Sequence, residues 1–276
     1  MNDRETDADP DTGGSPVEHV LSQEEVLAAQ LELGLDELRR PLDGLFLSGV
    51  SAGLDIGFGP LFMAALYTAA TGVWSEPTLD SSLGILYSVG FVFVVLGRAS
   101  LFTEHTSLAV LPVLDGRADL RQLLRLWGIV YLGNVIGGAF FAVAMVYTAP
   151  AYGIVDPSAF AHVARPLVAH PPVVTFFAAV LAGWLMGLLS WLVTAVRETS
   201  TQLAVVVLVT TVIGFAHLPH SVAGNVEVLA GALVTPAITL GDYVRFLLIA
   251  VAGNAVGGSV FVALLKYGYV VRGLDR

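Results

Sequence analysis

The 276-residue chain contains no cysteine, a single lysine and few charged residues of any kind. The missing cysteines exclude disulfides, thiolate catalysis, cysteine-ligated zinc and iron–sulfur clusters. Charged residues make up 13% of the chain, well below the share of about 25% in ordinary soluble domains. Apolar residues make up 55% and fall in long runs, as transmembrane helices require. The sequence therefore indicates an integral membrane protein, with no cofactor and with no nucleic-acid partner.

The acidic balance of the chain is concentrated near its N-terminus. The net charge is −10, and eleven acidic but only three basic residues lie within residues 1–40. Residues 1–21 are rich in Asp, Gly, Pro and Thr, which predicts a disordered tail and not a signal peptide. In residues 22–40, Ser22 and Glu25 have the spacing of a capping box, and apolar residues recur at helical intervals. We predict an amphipathic cytoplasmic helix there, which either rests on lipid or has no lipid role.

One motif occurs twice, 120 residues apart, inside long apolar segments. Gly133-Asn134 is followed by Val-Ile-Gly-Gly, and Gly253-Asn254 is followed by Ala-Val-Gly-Gly. Glycines let helices approach closely, and asparagines hydrogen-bond between spans, so we interpret both motifs as packing elements. An apolar chain that repeats itself at half its length indicates a duplicated membrane fold, whose site lies where the halves meet.

Six apolar segments are long enough to cross a membrane. They are predicted at 41–70, 83–114, 122–149, 173–196, 201–233 and 242–268. Basic residues cluster on alternate sides of these spans, which predicts that both termini are cytoplasmic. Three spans in each half then require the halves to be inverted. We predict an all-α transport domain over residues 41–270 with two inverted three-helix repeats, followed by a short cytoplasmic tail at 271–276.

The second and fifth spans are interrupted by glycine, proline and polar residues at corresponding places in the two halves. Interrupted helices in matching positions point to a transport site. Each ionisable residue within a span costs about 2.5–3.5 kcal/mol on insertion scales, so these residues are expected to be paired or functional. The ionisable residues at the two interruptions are Arg98, Glu104, His105, His217, His220 and Glu227.

Three strings carry a resemblance to a known family. They are Leu101-Phe102-Thr103, the run Trp-Gly-Ile-Val-Tyr-Leu-Gly-Asn at 127–134, and His-Ser-Val-Ala at 220–223. In this order, within six spans and beside this repeat, they make the chain resemble the formate/nitrite transporter family over residues 40–270. The resemblance maps the central histidine of the family onto His220 and the threonine of its mobile loop onto Thr103.

The resemblance implies an aquaporin-like fold and a homo-pentamer with one pore in each protomer, in a prokaryotic-type inner or plasma membrane. It also implies passage of small monovalent anions such as formate, nitrite or hydrosulfide, in some members with a proton. Members of the family often carry a lysine at the outer mouth of the pore. In this chain the corresponding position falls near Leu167, and Arg165 is the closest cation. A channel for water or small neutral solutes therefore remains the alternative function.

The candidate pore residues have different expected roles. His220 is expected to donate a hydrogen bond or a proton to a passing anion, because imidazole titrates near neutral pH. Phe102 and Phe215 are candidate apolar constrictions. Leu101, His217 and Asn225 complete the predicted lining.

The remaining ionisable residues allow further interpretations. We interpret Arg98 and Glu104 as an ion pair within a buried charge network that includes His105 and Glu227. The alternative is that Arg98 supplies the cation missing from the outer mouth. A metal site at the His-x-x-His pattern is a further alternative, but the loop is broken by proline, and we expect neither a metal nor an enzyme.

Overall fold

A computed structural model describes residues 20–274, which form thirteen α-helices and one π-helical segment. The predicted tail lies, up to residue 19, outside the described residues. The helices are α1 (Gln23–Arg39), α2 (Leu42–Ile56), α3 (Phe58–Ala70), α4 (Glu76–Leu96), α5 (Phe102–Leu108), α6 (Leu111–Leu114), α7 (Leu120–Ala151), α8 (Pro157–Val168), α9 (Pro172–Ala195), α10 (Thr199–Phe215), α11 (Ala223–Val234), α12 (Leu240–Val256), the π-helical segment (Gly257–Leu264) and α13 (Leu265–Leu274).

Five helical stretches in the described part of the chain are long and apolar enough to cross a membrane. They are Leu42–Ala70, Glu76–Leu96, Leu120–Ala151, Pro172–Ala195 and Leu240–Gly273. The predicted fifth span is divided into two shorter apolar helices, α10 and α11. The predicted second span begins earlier than expected and is divided into α4, α5 and α6. The apolar membrane-spanning helices predicted from composition are thus found in the structure. That α10 and α11 together make a sixth crossing stays a prediction.

Two elements differ from the predicted boundaries. Helix α8 lies in the stretch 150–172, which was expected to be a connection. The Asp156 carboxylate caps this helix by accepting from the Ser158 amide at 2.8 Å, and Pro157 occupies its first turn, where a missing amide hydrogen costs nothing. The last helix also continues through residues 271–274, which were predicted to be a tail.

The two halves of the chain make matching helix contacts. Helix α2 packs along α7, and α9 packs along α12 and the π-helical segment. A Cβ atom on Gly53 would overlap the carbonyl oxygen of Asn134, and a Cβ atom on Gly183 would overlap that of Asn254. Only glycine permits this close backbone approach. The repeat in the sequence is therefore matched by a repeated contact in the structure. Each Gly-Asn motif packs against a glycine on the first membrane-spanning helix of its own half.

The N-terminal helix α1 lies against the membrane-spanning helices at one end of the bundle. Its stripe of Val26, Leu27, Leu31 and Leu38 is buried against the protein, so the lipid-binding interpretation is not supported. The side chain of Gln30 donates to the Thr194 hydroxyl at 2.6 Å. We name this the basic end, because Arg117, Arg121 and Arg197 lie in its connections or at the start of its helices. The end that carries α8 is the opposite end.

Candidate functional site

Both interrupted helices break with the same backbone conformation. Arg98 has a φ angle of 54° and His217 a φ angle of 48°, both in the left-handed region. This region is unfavourable for residues with a Cβ and costs of order 1–3 kcal/mol, so it persists only where the surroundings impose it. The two residues are 119 positions apart, as are the other matching residues of the two breaks. The duplicated sequence therefore builds two equivalent breaks.

Asn134 holds the first break in place through three buried hydrogen bonds. Its Oδ1 atom accepts from the Phe102 amide at 2.9 Å. Its Nδ2 atom donates to the carbonyl of Gly49 at 2.8 Å and to that of Ser100 at 2.9 Å. The backbone groups released where a helix breaks must find partners inside the protein. Asn134 satisfies two of these released backbone groups, the Phe102 amide and the Ser100 carbonyl. Its bond to Gly49 also connects the break to α2.

Asn254 does the same at the second break. Its Oδ1 atom accepts from the Ser221 amide at 2.8 Å. Its Nδ2 atom donates to the carbonyl of Ala179 at 2.8 Å and to that of Pro219 at 2.9 Å. The paired asparagines are thus more than packing elements, because each fixes the backbone of one broken helix.

His220 and Thr103 meet where the two broken helices approach each other. The Nε2 atom of His220 lies 2.8 Å from the Thr103 hydroxyl, and both residues are almost completely buried. The Nδ1 atom accepts from the amides of Val222 at 3.3 Å and Ala223 at 3.1 Å, at the start of α11. These contacts assign the hydrogen of the neutral ring to Nε2, which donates to Thr103. The hydroxyl hydrogen of Thr103 is then not used in this contact and remains available to another acceptor.

The apolar side chain that borders His220 is Phe91. Their rings meet edge to face with centroids 4.9 Å apart, and Phe91 is fully buried. Sequence reasoning missed Phe91, because it lies within an uninterrupted apolar run. Phe102, the residue predicted to constrict the pore, packs instead against Trp127 and Tyr131 of α7. The contacts of the Phe102 ring in this structure are thus packing contacts with α7.

Replacing Phe91 with alanine is expected to widen the passage beside His220 and to raise leakage of small solutes such as glycerol. The matched variant Phe102→Ala should leave selectivity unchanged but lower stability by about 3–5 kcal/mol, as for other buried aromatic truncations. Glycerol and anion flux into proteoliposomes, together with thermal unfolding in detergent, distinguish the two. Unchanged permeability in Phe91→Ala would show that this ring does not limit the passage.

A cavity of about 590 Å³ lies on the basic-end side of the two breaks. Arg98, Arg197 and Glu104 contribute to its lining. The predicted ion pair between Arg98 and Glu104 is wrong, since no salt bridge joins them among residues 20–274. Arg98 is exposed at the same end as Arg197, so it does not supply a cation near Arg165 at the opposite end. Two guanidinium groups without a salt bridge to any described residue therefore line this cavity.

His105 belongs to a different charge cluster from the one predicted. Its Nε2 atom lies 3.2 Å from a carboxylate oxygen of Glu37, and Glu37 also pairs with Arg40 at 2.9 Å. Arg40 in turn donates to the Ser100 hydroxyl at 3.0 Å. The N-terminal helix α1 therefore supplies the partner of His105, and this contact links α1 to the first break.

Glu227 is 5% exposed and lies on α11, the helix that follows the second break. Within residues 20–274 its carboxyl group has no hydrogen-bond or ion-pair partner, so the predicted network does not include it. It lies near enough to Tyr87 to interact electrostatically, and the Tyr87 ring is 5.1 Å from that of Phe91. A carboxyl group thus lies beyond the ring that borders His220.

The other predicted lining residues have varied positions. The Asn225 side chain is committed to protein partners, because it donates to the carbonyl of Val135 at 3.2 Å and accepts from the Tyr243 hydroxyl at 2.6 Å. Phe215 is 56% exposed, so it forms no constriction within one protomer. His217 is exposed beside the second break, and Leu101 is fully buried beside Thr103.

The opposite end carries little positive charge near the second break. Leu167 is buried on α8 and packs near Gly224, in the first turn of α11. His162, on the same helix, stacks on Tyr67 with ring centroids 3.9 Å apart. Burial lowers the pKa of His162, so this ring is neutral at neutral pH. The position where the family often has a lysine is thus apolar here.

The metal-site interpretation lacks a set of ligands. No group of three or more His, Asp or Glu side chains is arranged to hold a metal ion in the part of the chain that the structure describes. His217 and His220 also face different surroundings, one exposed and the other bound to Thr103 and backbone amides.

The apolar spans and the two equivalent broken helices define a membrane transport protein. A family model described as formate/nitrite transporter matches residues 24–268. The inner membrane protein YfdC of Escherichia coli (strain K12) is 31% identical over 240 residues, covering 86% of this chain and 75% of YfdC.

Two solved structures share the fold of this chain. One is an FNT family ion channel, with a TM-score of 0.75 and 23% identity over 91% of this chain and 98% of the other. The second is a pentameric formate channel with formate bound, with a TM-score of 0.71 and 21% identity over 83% and 98%. The chain belongs to the formate/nitrite transporter family. This membership confirms that it is an integral membrane transport protein and not an enzyme.

Proposed function

We propose that this protein is a channel for small monovalent weak-acid anions, such as formate or nitrite, which pass beside His220. The contact between His220 and Thr103 carries the proposal, because it joins two broken helices at a buried hydrogen-bond donor. We further propose a homo-pentamer, as in the formate channel that shares the fold. Both termini and the basic end then face the cytoplasm, as the distribution of arginines indicates.

The chemistry of the proposed site is hydrogen-bond donation from neutral groups. An imidazolium would need a hydrogen on Nδ1, but that atom already accepts from two backbone amides. Charging the ring would therefore break these contacts and oppose the positive end of the α11 helix dipole. A neutral His220 holds the Thr103 hydroxyl so that its hydrogen can point to an anion. Donation of a proton by His220 would require the ring first to leave the α11 amides.

The charged groups near the proposed path support transport that depends on protonation. Arg98 and Arg197 attract anions to the cavity at the basic end, which Glu104 also lines, whereas Glu227 is buried on α11, the helix that follows His220. An ionised carboxylate repels an anion strongly where little water is present. The permeating species that this arrangement favours is a weak acid that carries its proton past the carboxyl groups, or an anion that passes while they are protonated.

A channel for small neutral solutes is the second candidate. Its support is the absence of a lysine at the opposite mouth, where Leu167 lies, and the unpaired carboxyl group of Glu227. Neutral molecules are indifferent to both features. Flux assays in proteoliposomes with formate, nitrite, hydrosulfide, acetate and glycerol separate the two functions. Flux of formate or nitrite that increases as the pH falls supports the weak-acid channel. Flux of glycerol alone, at every pH, would contradict it.

Replacing Glu227 with glutamine removes a charge from the proposed path and keeps nearly the same shape. We expect formate flux at alkaline pH, where this carboxyl group is ionised, to increase several-fold, because one unfavourable interaction of about 1 kcal/mol or more disappears. The increase in flux on acidification should be smaller than in the unmodified protein. The matched variant Glu32→Gln, at an exposed position on α1, should behave as the unmodified protein does. Identical pH profiles for Glu227→Gln and the unmodified protein would show that this carboxyl group does not face the path.

A further inference from the structure

A second cavity, of about 980 Å³, lies away from the proposed pore, between α9 and the last helix. Apolar and aromatic side chains form most of its wall, and two cations stand at one end. Its lining includes Trp184, Phe261, Leu264, Lys266, Gly268 and Arg272. We name this cavity the C-terminal trough.

The π-helical segment Gly257–Leu264 shapes the trough. Helical segments with an inserted residue widen the helix and occur frequently at functional sites. Phe261, in this segment, stacks on Trp184 with ring centroids 4.9 Å apart and planes at 21°. Gly268 follows on α13, and a Cβ atom placed on it would meet no atom within 4 Å. The wall of the trough is therefore apolar, and the space next to Gly268 is open.

The two cations of the trough have no carboxylate partner in the described part of the chain. Lys266 is the only lysine of a chain with a net charge of −10. Its ammonium lies 5.2 Å from the centroid of the Trp191 ring and 5.5 Å from that of Tyr269. Within residues 20–274, neither Lys266 nor Arg272 forms a salt bridge. Uncompensated cations beside an apolar wall favour an anionic ligand, and most strongly one that brings its own apolar part.

The trough lies at the basic end of the bundle. Tyr267, next to Lys266, donates its hydroxyl to Asp115 at 3.0 Å, in the connection that also carries Arg117. Lysine, tryptophan and tyrosine side chains are typical of the level where lipid headgroups meet the hydrocarbon. The cations thus lie at the depth of phosphate groups, and the apolar part of the trough extends from there toward the hydrocarbon.

We propose that the C-terminal trough binds an anionic phospholipid of the leaflet at the basic end. The phosphate group lies between Lys266 and Arg272, and one acyl chain lies along Trp184, Leu264 and Gly268. A free phosphate would leave the apolar wall uncovered, whereas a phospholipid satisfies both parts of the trough. This site is independent of the transported substrate.

Native mass spectrometry of the detergent-purified oligomer tests the proposal, with equal amounts of phosphatidylglycerol and phosphatidylcholine added. We expect the oligomer to retain phosphatidylglycerol preferentially. Each cation near a headgroup contributes about fivefold, so Lys266→Gln combined with Arg272→Gln should lower this retention by about 25-fold. The control Arg121→Gln removes an exposed cation from the same end and should retain the lipid. Equal retention of both lipids, or no loss in the double variant, would overturn the proposal.

A second variant distinguishes a phospholipid from a free phosphate. Gly268→Leu places an apolar side chain in the trough, where a Cβ atom meets no other atom within 4 Å, and it leaves both cations in place. It should lose the phospholipid while the mass of the intact oligomer shows that assembly is unchanged. Unchanged retention in Gly268→Leu would mean that the acyl chain does not occupy the trough, and the proposal would be wrong.

The absence of native cysteines allows a test for occupation of the trough by a second copy of the chain. Gly268→Cys would be the only thiol, and a maleimide should label it in the intact delipidated oligomer. Added phosphatidylglycerol should slow this labelling and phosphatidylcholine should not. Labelling only after the oligomer is dissociated would show that a neighbouring protomer covers the trough, and the lipid proposal would fail.

Discussion

Replacing His220 with phenylalanine is expected to lower formate flux in proteoliposomes by about 10- to 100-fold. The ring would keep its bulk beside Phe91, but the Thr103 hydroxyl and the amides of Val222 and Ala223 would lose their partner. Each unsatisfied buried group costs about 1–3 kcal/mol, and 1.4 kcal/mol corresponds to a factor of ten. A dehydrated anion would also lose the donor that the imidazole orients.

The variant His220→Asn separates hydrogen bonding from proton transfer. An asparagine amide donates a hydrogen bond but does not titrate, so some anion conductance should remain. If His220 transfers protons, the pH dependence of weak-acid flux should disappear in this variant. If His220 acts only as a neutral donor, the pH dependence should persist. His217→Asn, at the exposed histidine of the same loop, is the matched control. Flux and pH dependence of the unmodified protein in both His220 variants, with intact assembly, would assign His220 a structural role alone.

Replacing Asn134 with leucine is expected to destabilise the assembled protein by about 3 kcal/mol or more. The change removes three hydrogen bonds and leaves the Phe102 amide and the carbonyls of Gly49 and Ser100 buried without that partner. Each such group costs about 1–3 kcal/mol. Because the amide of Phe102 positions the helix that carries Thr103, transport should be lost together with stability. The thermal midpoint of the purified oligomer and formate flux measure the two effects.

One further variant tests the second break, and another serves as a control on the same helix as Asn134. Asn254→Leu breaks the equivalent contacts at the second break and should show a similar loss. Leu132→Ala, at a half-exposed position on the same helix as Asn134, should change the midpoint much less. If Asn134→Leu retained the midpoint and the flux of the unmodified protein, these hydrogen bonds would not hold the break.

The sequence by itself was sufficient for the class of this protein and for its family. Long apolar runs, the scarcity of charge and the repeated Gly-Asn motif are local features, and they identify membrane helices and a duplication before any contact is known. The motifs around Thr103 and His220 were likewise sufficient to indicate the formate/nitrite transporter family, which the family match confirms. The two breaks were found from glycine, proline and buried polar residues, because these types interrupt a helix wherever they occur.

The tertiary structure decided which side chains meet. Neighbours in sequence did not predict the partner of His105 or the lack of a salt bridge at Arg98 among the described residues, because a partner near a break comes from whichever element packs against it. For His105 that element is α1, whose Glu37 lies 68 positions away. The positions of Phe102 and Phe91 were likewise decided by packing. The Phe102 ring lies against Trp127 and Tyr131 of α7, whereas Phe91, within a regular helix, faces His220. These directions depend on the packing of segments far apart in the chain, which no local pattern encodes.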